Sequence, residues 1–194
     1  MANLITLDEY KEAMKLTGYG DDVRLESLVT SVSQLVKTYC NNSFVDHASS
    51  AKTELFDITY GESFVHLSES PIIGVTSVSE RSNPTDTYTV LTNNSDYYID
   101  TKTDSIYRIA GPVDKAFKPG RGSVKVIYTG GYSATPADLK LAVIDLITYY
   151  HKDEHKQRQT LSGASIQNQG TSGQSGNVGF PDHIKRVLDM YKNF

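Results

Sequence analysis

The sequence predicts an α+β protein: a helical bundle of three to four helices with an inserted antiparallel β region of short strands. Three observations carry this expectation. An unbroken helical apolar stripe runs through residues 22–40, short β-prone runs separated by turn residues fill residues 53–128, and a second strong helical signal follows at residues 135–156. The strands are not interleaved with helices, so hairpins are expected rather than parallel βαβ units.

The first helix is expected over Leu7 to Leu16. Thr6 followed by Glu9 has the spacing of a capping box, and Asp8 and Glu9 suit the positive end of the helix. Gly18 and Gly20 are expected to end it.

The second helix is expected from Asp21-Asp22 to Tyr39-Cys40. Leu25, Leu28, Val29, Val32, Leu35, Val36, Tyr39 and Cys40 recur at i, i+3, i+4 and i+7, which gives one continuous apolar face. Arg24, Ser27, Thr30, Ser31, Gln34 and Lys37 line the opposite face. Its Ser and Thr are weak helix formers, so this helix depends on packing.

Strands are expected at Glu54–Ile58, Ser63–Leu67, Val75–Glu80, Tyr88–Leu91, Tyr97–Ile99, Ser105–Ile109 and Ser123–Tyr128. Between them lie Gly-, Asn-, Asp- and Pro-rich turns, including Pro119-Gly120-Arg121-Gly122. The last helix of the bundle is signalled by Thr135 as N-cap, Pro136 at the first helical position and Asp138 in the first turn, and is expected to reach Lys156. Its apolar residues go almost all the way round, which points to cover on more than one side. Either this helix is central or one side of it meets another subunit, with Leu141, Ile144 and Tyr149 as the interface candidates.

Residues 162–179 contain no charged side chain and are mostly Gly, Ser, Gln, Asn and Thr. Such a segment buries too little apolar area to offset its ordering entropy and is expected to be flexible alone. The chain after it carries Ile184, Val187, Leu188 and Tyr191 at helical spacing. That terminal helix either docks on a neighbour or folds back on its own domain. The expected organisation is a bundle core at 1–45 and 133–161, a β region at 46–132, a flexible segment at 162–180 and a docking helix at 181–194.

Composition limits the function. The 194 residues suit one domain, or one domain with a large insertion. Lys and Arg total 19 against 23 Asp and Glu, a net charge of −4, so an extended cationic surface for tight DNA binding is not expected. No apolar run approaches the ~18–20 residues of a membrane span, and Met1-Ala2-Asn3-Leu4-Ile5-Thr6 lacks the pattern of a signal peptide. The single Cys40 excludes an internal disulfide and falls on an apolar helical stripe.

Catalytic signals are weak. His151-Lys152-Asp153-Glu154-His155 matches H-x-x-E-H, in which two His at i and i+4 could share a metal with Glu as base, but no third ligand is evident. The Gly18-x-Gly20 start of a dinucleotide fingerprint fails at Val23. Gly120-Arg121-Gly122-Ser123 reads as a hairpin turn, and Asp96 with Asp100 is a carboxylate pair without evidence of convergence. His47, His66 and His183 are isolated. A zinc hydrolase using His151, Glu154 and His155 is one alternative function. A β-rich module that binds protein or carbohydrate through Tyr60, Tyr97, Tyr98 and Tyr107 is another. No cofactor is expected.

The order of features is more informative than any motif. The stretch DDVRLESLVTSVSQLVKTYCNNSF is followed by LSESPIIGVTSVSE, and later by SVKVIYTGGYSATPADLKLAVIDLITYYHKDEHKQ, a Gly/Ser segment and a short helix. This pattern resembles the head–tail connector (adaptor, or head-completion) proteins of tailed double-stranded DNA bacteriophages. The resemblance implies a non-enzymatic virion protein at the head–tail interface, present in the host cytoplasm during assembly. It implies a homo-oligomeric ring of about twelve copies beneath the portal protein, extending the DNA channel toward a tail-side connector or tail protein. Contact with double-stranded DNA would be transient and no membrane would be involved. By position in the family, portal docking would fall to Ile184, Val187, Leu188, Tyr191 and Phe194.

Overall fold

The computed structural model describes residues 2–153, 158–161, 164–167 and 180–192. The fold is α+β as expected, with strands outnumbering the four helices among the described residues. The chain divides into a helical unit, Met1–Asn41 with Thr135–Lys192, and a β unit, Asn42–Ala134.

In the helical unit, α1 (Leu7–Met14) carries the predicted capping box: Thr6 Oγ1 accepts from Glu9 N–H at 3.2 Å and Glu9 Oε2 accepts from Thr6 N–H at 2.8 Å. The helix ends earlier than Gly18. Lys15 takes the left-handed conformation (φ 54°) and Leu16 N–H closes the turn on the Lys11 carbonyl at 2.9 Å. α2 (Asp22–Cys40) matches its expected span and ends on Asn41, also left-handed. Leu25, Val29, Val32, Val36 and Cys40 are buried along its stripe. Lys37, expected on the polar face, is buried as well; its Nζ reaches the Ala2 carbonyl at 2.7 Å.

α3 (Ala137–His151) starts after an extended Pro136 with no side-chain cap, and Thr135 Oγ1 donates to the Leu4 carbonyl at 2.6 Å. It stops at His151, short of Lys156, and Asp153 lies in the left-handed region at φ 57°. Beyond it β9 (Arg158–Leu161) and β10 (Ala164–Gln167) pair antiparallel. Part of the segment expected to lack structure of its own is thus a strand, with β-prone Thr160 and Ile166 in the two arms. The other residues of 162–179 lie outside the described residues. α4 (Asp182–Met190) closes the unit, and α2 packs against α1, α3 and α4.

The β unit contains two antiparallel sheets. One has the order β1-β8-β3-β4, from Lys52–Ile58, Gly120–Gly130, Ile72–Glu80 and Thr89–Val90. The other has the order β2-β6-β5, from Phe64–His66, Ser105–Ala110 and Tyr97–Asp100, and a two-residue strand β7 (Val113–Asp114) extends β6. β7 has too short an apolar pattern to be read from sequence. Their inner faces share one core that includes Val65, Val78, Ile106, Val124, Val126 and Tyr128.

Gly120-Arg121-Gly122 was expected as a hairpin turn and instead opens β8. Gly122 explains the difference: its N–H donates to Asp57 Oδ1 at 2.6 Å, and its carbonyl accepts from Arg81 and Tyr88. Three side chains hold this backbone in the sheet margin.

Candidate assembly surfaces

The helical unit positions the terminal segment first. Apolar spacing in α4 turns Ile184 and Leu188 inward, where both are buried. Phe180, just before the helix, is also buried and meets the Tyr39 ring edge-on at 5.0 Å. Tyr39 OH donates to Asp189 Oδ1 at 2.6 Å, and burial together with that carboxylate pushes the phenol up to about 12. Cys40 Sγ donates to the Leu188 carbonyl at 3.5 Å; burial, then the Asp189 charge, pushes its thiol up to about 12. Tyr191 OH donates to Asp138 Oδ1 at 2.6 Å, and that bond holds the Asp138 carboxyl below its usual range.

Of the five residues expected at a docking surface, Ile184 and Leu188 are therefore core of their own unit in this conformation. The reason is that α2 and α3 already supply the apolar surface these side chains need. Val187 and Tyr191 are half-buried, and Phe194 lies outside the described residues. Phe180 was missed; its signal was a lone aromatic at the end of a polar segment, directly before Pro181-Asp182.

On α3, Leu139, Ala142, Val143, Leu146 and Ile147 are buried. Lys140 Nζ meets Glu9 Oε1 at 2.7 Å, and Thr148 Oγ1 lies 3.3 Å from Tyr10 OH, so α1 occupies the neighbouring side. Of the three interface candidates, Leu141 projects outward at 60% exposure, while Ile144 and Tyr149 are half-buried. Val23 and Tyr19 are exposed large apolar residues at the start of α2 and in the turn before it.

In the β unit, register gathers an aromatic row. Phe64 of β2 pairs with Tyr107 of β6, and Tyr107 pairs with Tyr98 of β5. Phe64 and Tyr107 stack at 5.5 Å, and Phe64 and Tyr98 are each about half exposed. Two of the four tyrosines proposed for binding thus meet, with a phenylalanine that sequence reasoning overlooked. Tyr97 faces the other way and is core, and Tyr60 stands alone in a turn.

Beneath this sheet Arg108 reaches across to Glu80 and donates from Nη1 to the carbonyls of Asp96 (2.5 Å) and Ile109 (2.6 Å). At the other end Lys52 Nζ bridges Glu69 (2.8 Å) and Glu54 (2.9 Å), while Glu69 Oε2 accepts from Ser43 N–H and Oγ at 3.0 and 2.7 Å. These buried and half-buried polar groups tie strands and loops together through their hydrogen bonds.

Among the described residues the weaker chemical signals do not converge. Glu154 and His155 lie outside the described residues, and His151 Nδ1 is buried with no hydrogen-bond partner among those described. No group of three His, Cys, Asp or Glu among the described residues could hold a metal ion. Asp96 accepts from Thr92 N–H at 2.9 Å, and Asp100 from Lys102 N–H and Thr103 Oγ1 at 2.9 Å each. Those backbone hydrogen bonds lower both carboxyls, which suits turn caps better than proton donors. His47 Nδ1 lies 3.2 Å from the Ser50 carbonyl, His66 Nδ1 lies 3.1 Å from Ser105 Oγ, and His183 is exposed. No helix among the described residues is long and apolar enough to cross a membrane.

The fold is that of neck proteins of gene transfer agent (GTA) particles. It is similar to a chain of the neck of a native GTA particle computed with C12 symmetry (TM-score 0.60, 14% identity, covering 100% of this chain and 96% of that one). It is also similar to a chain of the virion of a native GTA particle (TM-score 0.61, 16% identity, 98% and 90% covered). Residues 3–194 match the family described as Head completion protein, and the chain belongs to that family. It is 30% identical over 112 residues to the Head completion protein of Escherichia phage T5, covering 57% of this chain and 62% of that relative. The chain thus spans about three fifths of the length of that curated relative.

Proposed function

We propose that this chain is a structural virion protein, without enzymatic activity, that forms a ring of about twelve copies at the head–tail interface. The ring binds beneath the portal, extends the DNA channel and carries a tail-side connector or tail protein below it. Assembly takes place in the host cytoplasm. The observation that carries this reading is membership of the head completion family along residues 3–194. The GTA neck likeness supports the ring, and a head-to-tail ring needs a surface that each copy offers to the next.

Leu141 is the interface residue of choice because it is the most exposed large apolar residue of a helix whose other large apolar residues are buried or half-buried. Val187, Tyr191 and Phe194 are proposed to meet the portal, with Ile184 and Leu188 holding α4 in place beneath them. The test is negative-stain microscopy of the protein mixed with its portal. Twelvefold rings capping the portal are expected for the natural chain. Leu141→Asp should melt within about 0.5 kcal/mol of it, as exposed substitutions do, yet fail to close rings. Intact rings from that variant would remove Leu141 from the interface, and no rings with the natural chain would overturn the reading.

A second reading, a binding module for protein or carbohydrate, draws support from the row Phe64, Tyr107 and Tyr98. Alanine variants that leave every association unchanged and shift only melting would reduce this row to packing.

A further inference from the structure

In a chain with more acids than bases, five of the cations are neutralised at home. Lys11, Lys52, Arg108, Lys118 and Lys140 each have a carboxylate within 4.0 Å. Three cations without such a partner gather at one corner of the β unit, around Tyr88 and Gly122. The Arg81 guanidinium carbon lies 4.5 Å from the Tyr88 ring centroid, and Lys125 Nζ lies 4.3 Å from the same centroid. Tyr88 OH donates to the Gly122 carbonyl at 2.7 Å, and Arg81 Nε donates to that carbonyl at 3.0 Å. Arg121, exposed, is the residue before Gly122.

None of the three has an ion-pair partner among the described residues, and register explains why. The cross-strand neighbours of Lys125 are Leu55 and Ser79, neither of them acidic. The acids of the corner form no ion pair with these cations: Asp57 Oδ1 accepts from Gly122 N–H and Asp86 Oδ2 from Asn83 N–H and Nδ2 at 3.1 and 2.9 Å, both keeping their charge, and Glu80 pairs with Arg108. Two cations about 4.5 Å from one ring repel each other, and the ring offsets only part of that cost. An external polyanion would offset the rest.

We propose that Arg81, Arg121 and Lys125 form a contact site for the phosphate backbone of duplex DNA. The choice of DNA rests on the connector reading, which brings a duplex alongside this chain. Three cations suit that role: contacts to phosphate carry no sequence information, and a small number of them releases readily as salt or motion competes. The remaining surface is acidic overall and would not hold the duplex.

The test is fluorescence anisotropy of the full chain with a short labelled duplex across a salt series. Each phosphate neutralised contributes about 0.9 to the slope of log affinity against log salt, so a slope near 2.7 is expected. R121Q/K125Q should lower that slope by about 1.8, while the charge-matched R24Q/R186Q, on helices of the other unit, should leave it in place. Arg81 is kept because its hydrogen bonds hold the corner. No binding at low salt, or equal slopes in the two double variants, overturns the proposal. Portal mixing of R121Q/K125Q separates it from the connector reading. Rings that form with an unchanged DNA slope sink this site alone, and loss of rings with DNA binding retained would make the three cations a subunit contact instead.

Discussion

Arg108 and Glu80 face each other from the two sheets of the β unit, with Nη2 3.2 Å from Oε1 and Nε 3.4 Å from Oε2. Both side chains are buried. The pair links β6 to β3 beside the apolar core that the two sheets share.

Removing one member leaves the other a buried charge with only a longer, more exposed partner: Lys118 at 3.8 Å from Glu80, or Asp96 Oδ1 at 3.6 Å from Arg108. Arg108→Met is expected to destabilise the protein by up to about 3–5 kcal/mol, read from urea unfolding, because Glu80 loses its close partner and the carbonyls of Asp96 and Ile109 each lose a donor. Replacing Glu80 with Leu in the same chain should recover part of that loss, which a purely additive pair of lesions would not do.

Leu188 and Met190 sit two residues apart on α4 with opposite fates: one is fully buried and the other is 70% exposed. Leu188→Ala is expected to cost about 2–5 kcal/mol, and Met190→Ala under about 0.5 kcal/mol. Equal small effects in thermal melts would mean that α4 spends its time away from the helical unit.

Gly131 adopts φ +95°, and a Cβ there would stand 2.0 Å from the Phe44 carbonyl oxygen. The neighbouring Tyr132 N–H donates to that same oxygen at 2.6 Å, so Phe44 cannot retreat without losing the bond. Gly131→Ala should cost well beyond the ~1 kcal/mol that separates Gly from Ala where the backbone is compatible with both. Measured melting within a degree or two of the natural chain would contradict the close approach.

The Lys52 cluster sets a pH window. Burial opposes the charge of Glu54, but hydrogen bonds from Ser68 and Lys52 outweigh it and hold the carboxyl below its usual range. Burial also opposes the charge of Lys52, and Glu69 and Glu54 outweigh it and raise the ammonium. The Glu54 contribution is present above its unfolded value and is lost as pH falls through the lowered folded value. The Lys52 contribution is present below its unfolded value and is lost as pH rises through the raised folded one. Stability from this cluster should be flat between about pH 5 and pH 10 and decline on both sides. Glu54→Gln should remove its share of the acid decline and shrink the alkaline one, as judged from unfolding midpoints across pH.

How far the sequence could be read varied with the range of the forces involved. The capping box of Thr6 and Glu9 and the stripe from Leu25 to Cys40 were legible because their partners lie within a few residues. The end of α1 at Lys15 and the burial of Lys37 were not, since a left-handed lysine and a lysine bonded to the Ala2 carbonyl have no local signature. The same holds at Gly122, where residues from three other parts of the chain convert an apparent turn into a strand. The candidate surfaces were half legible: Leu141 stands out on its helix, and Tyr98 and Tyr107 were singled out, but Phe64 joins them only through register.

Local periodicity and the order of motifs were enough to determine the α+β class, the main helix and the family resemblance, because spacing along one chain records which face of an element is apolar. Which apolar residues remain outside was decided by the tertiary structure. Ile184 and Leu188 have the same helical spacing whether they meet a partner or their own core, and only the presence of α2 and α3 beside them settles that they are already covered. Burial is a property of neighbours distant in sequence, and a single segment cannot encode it.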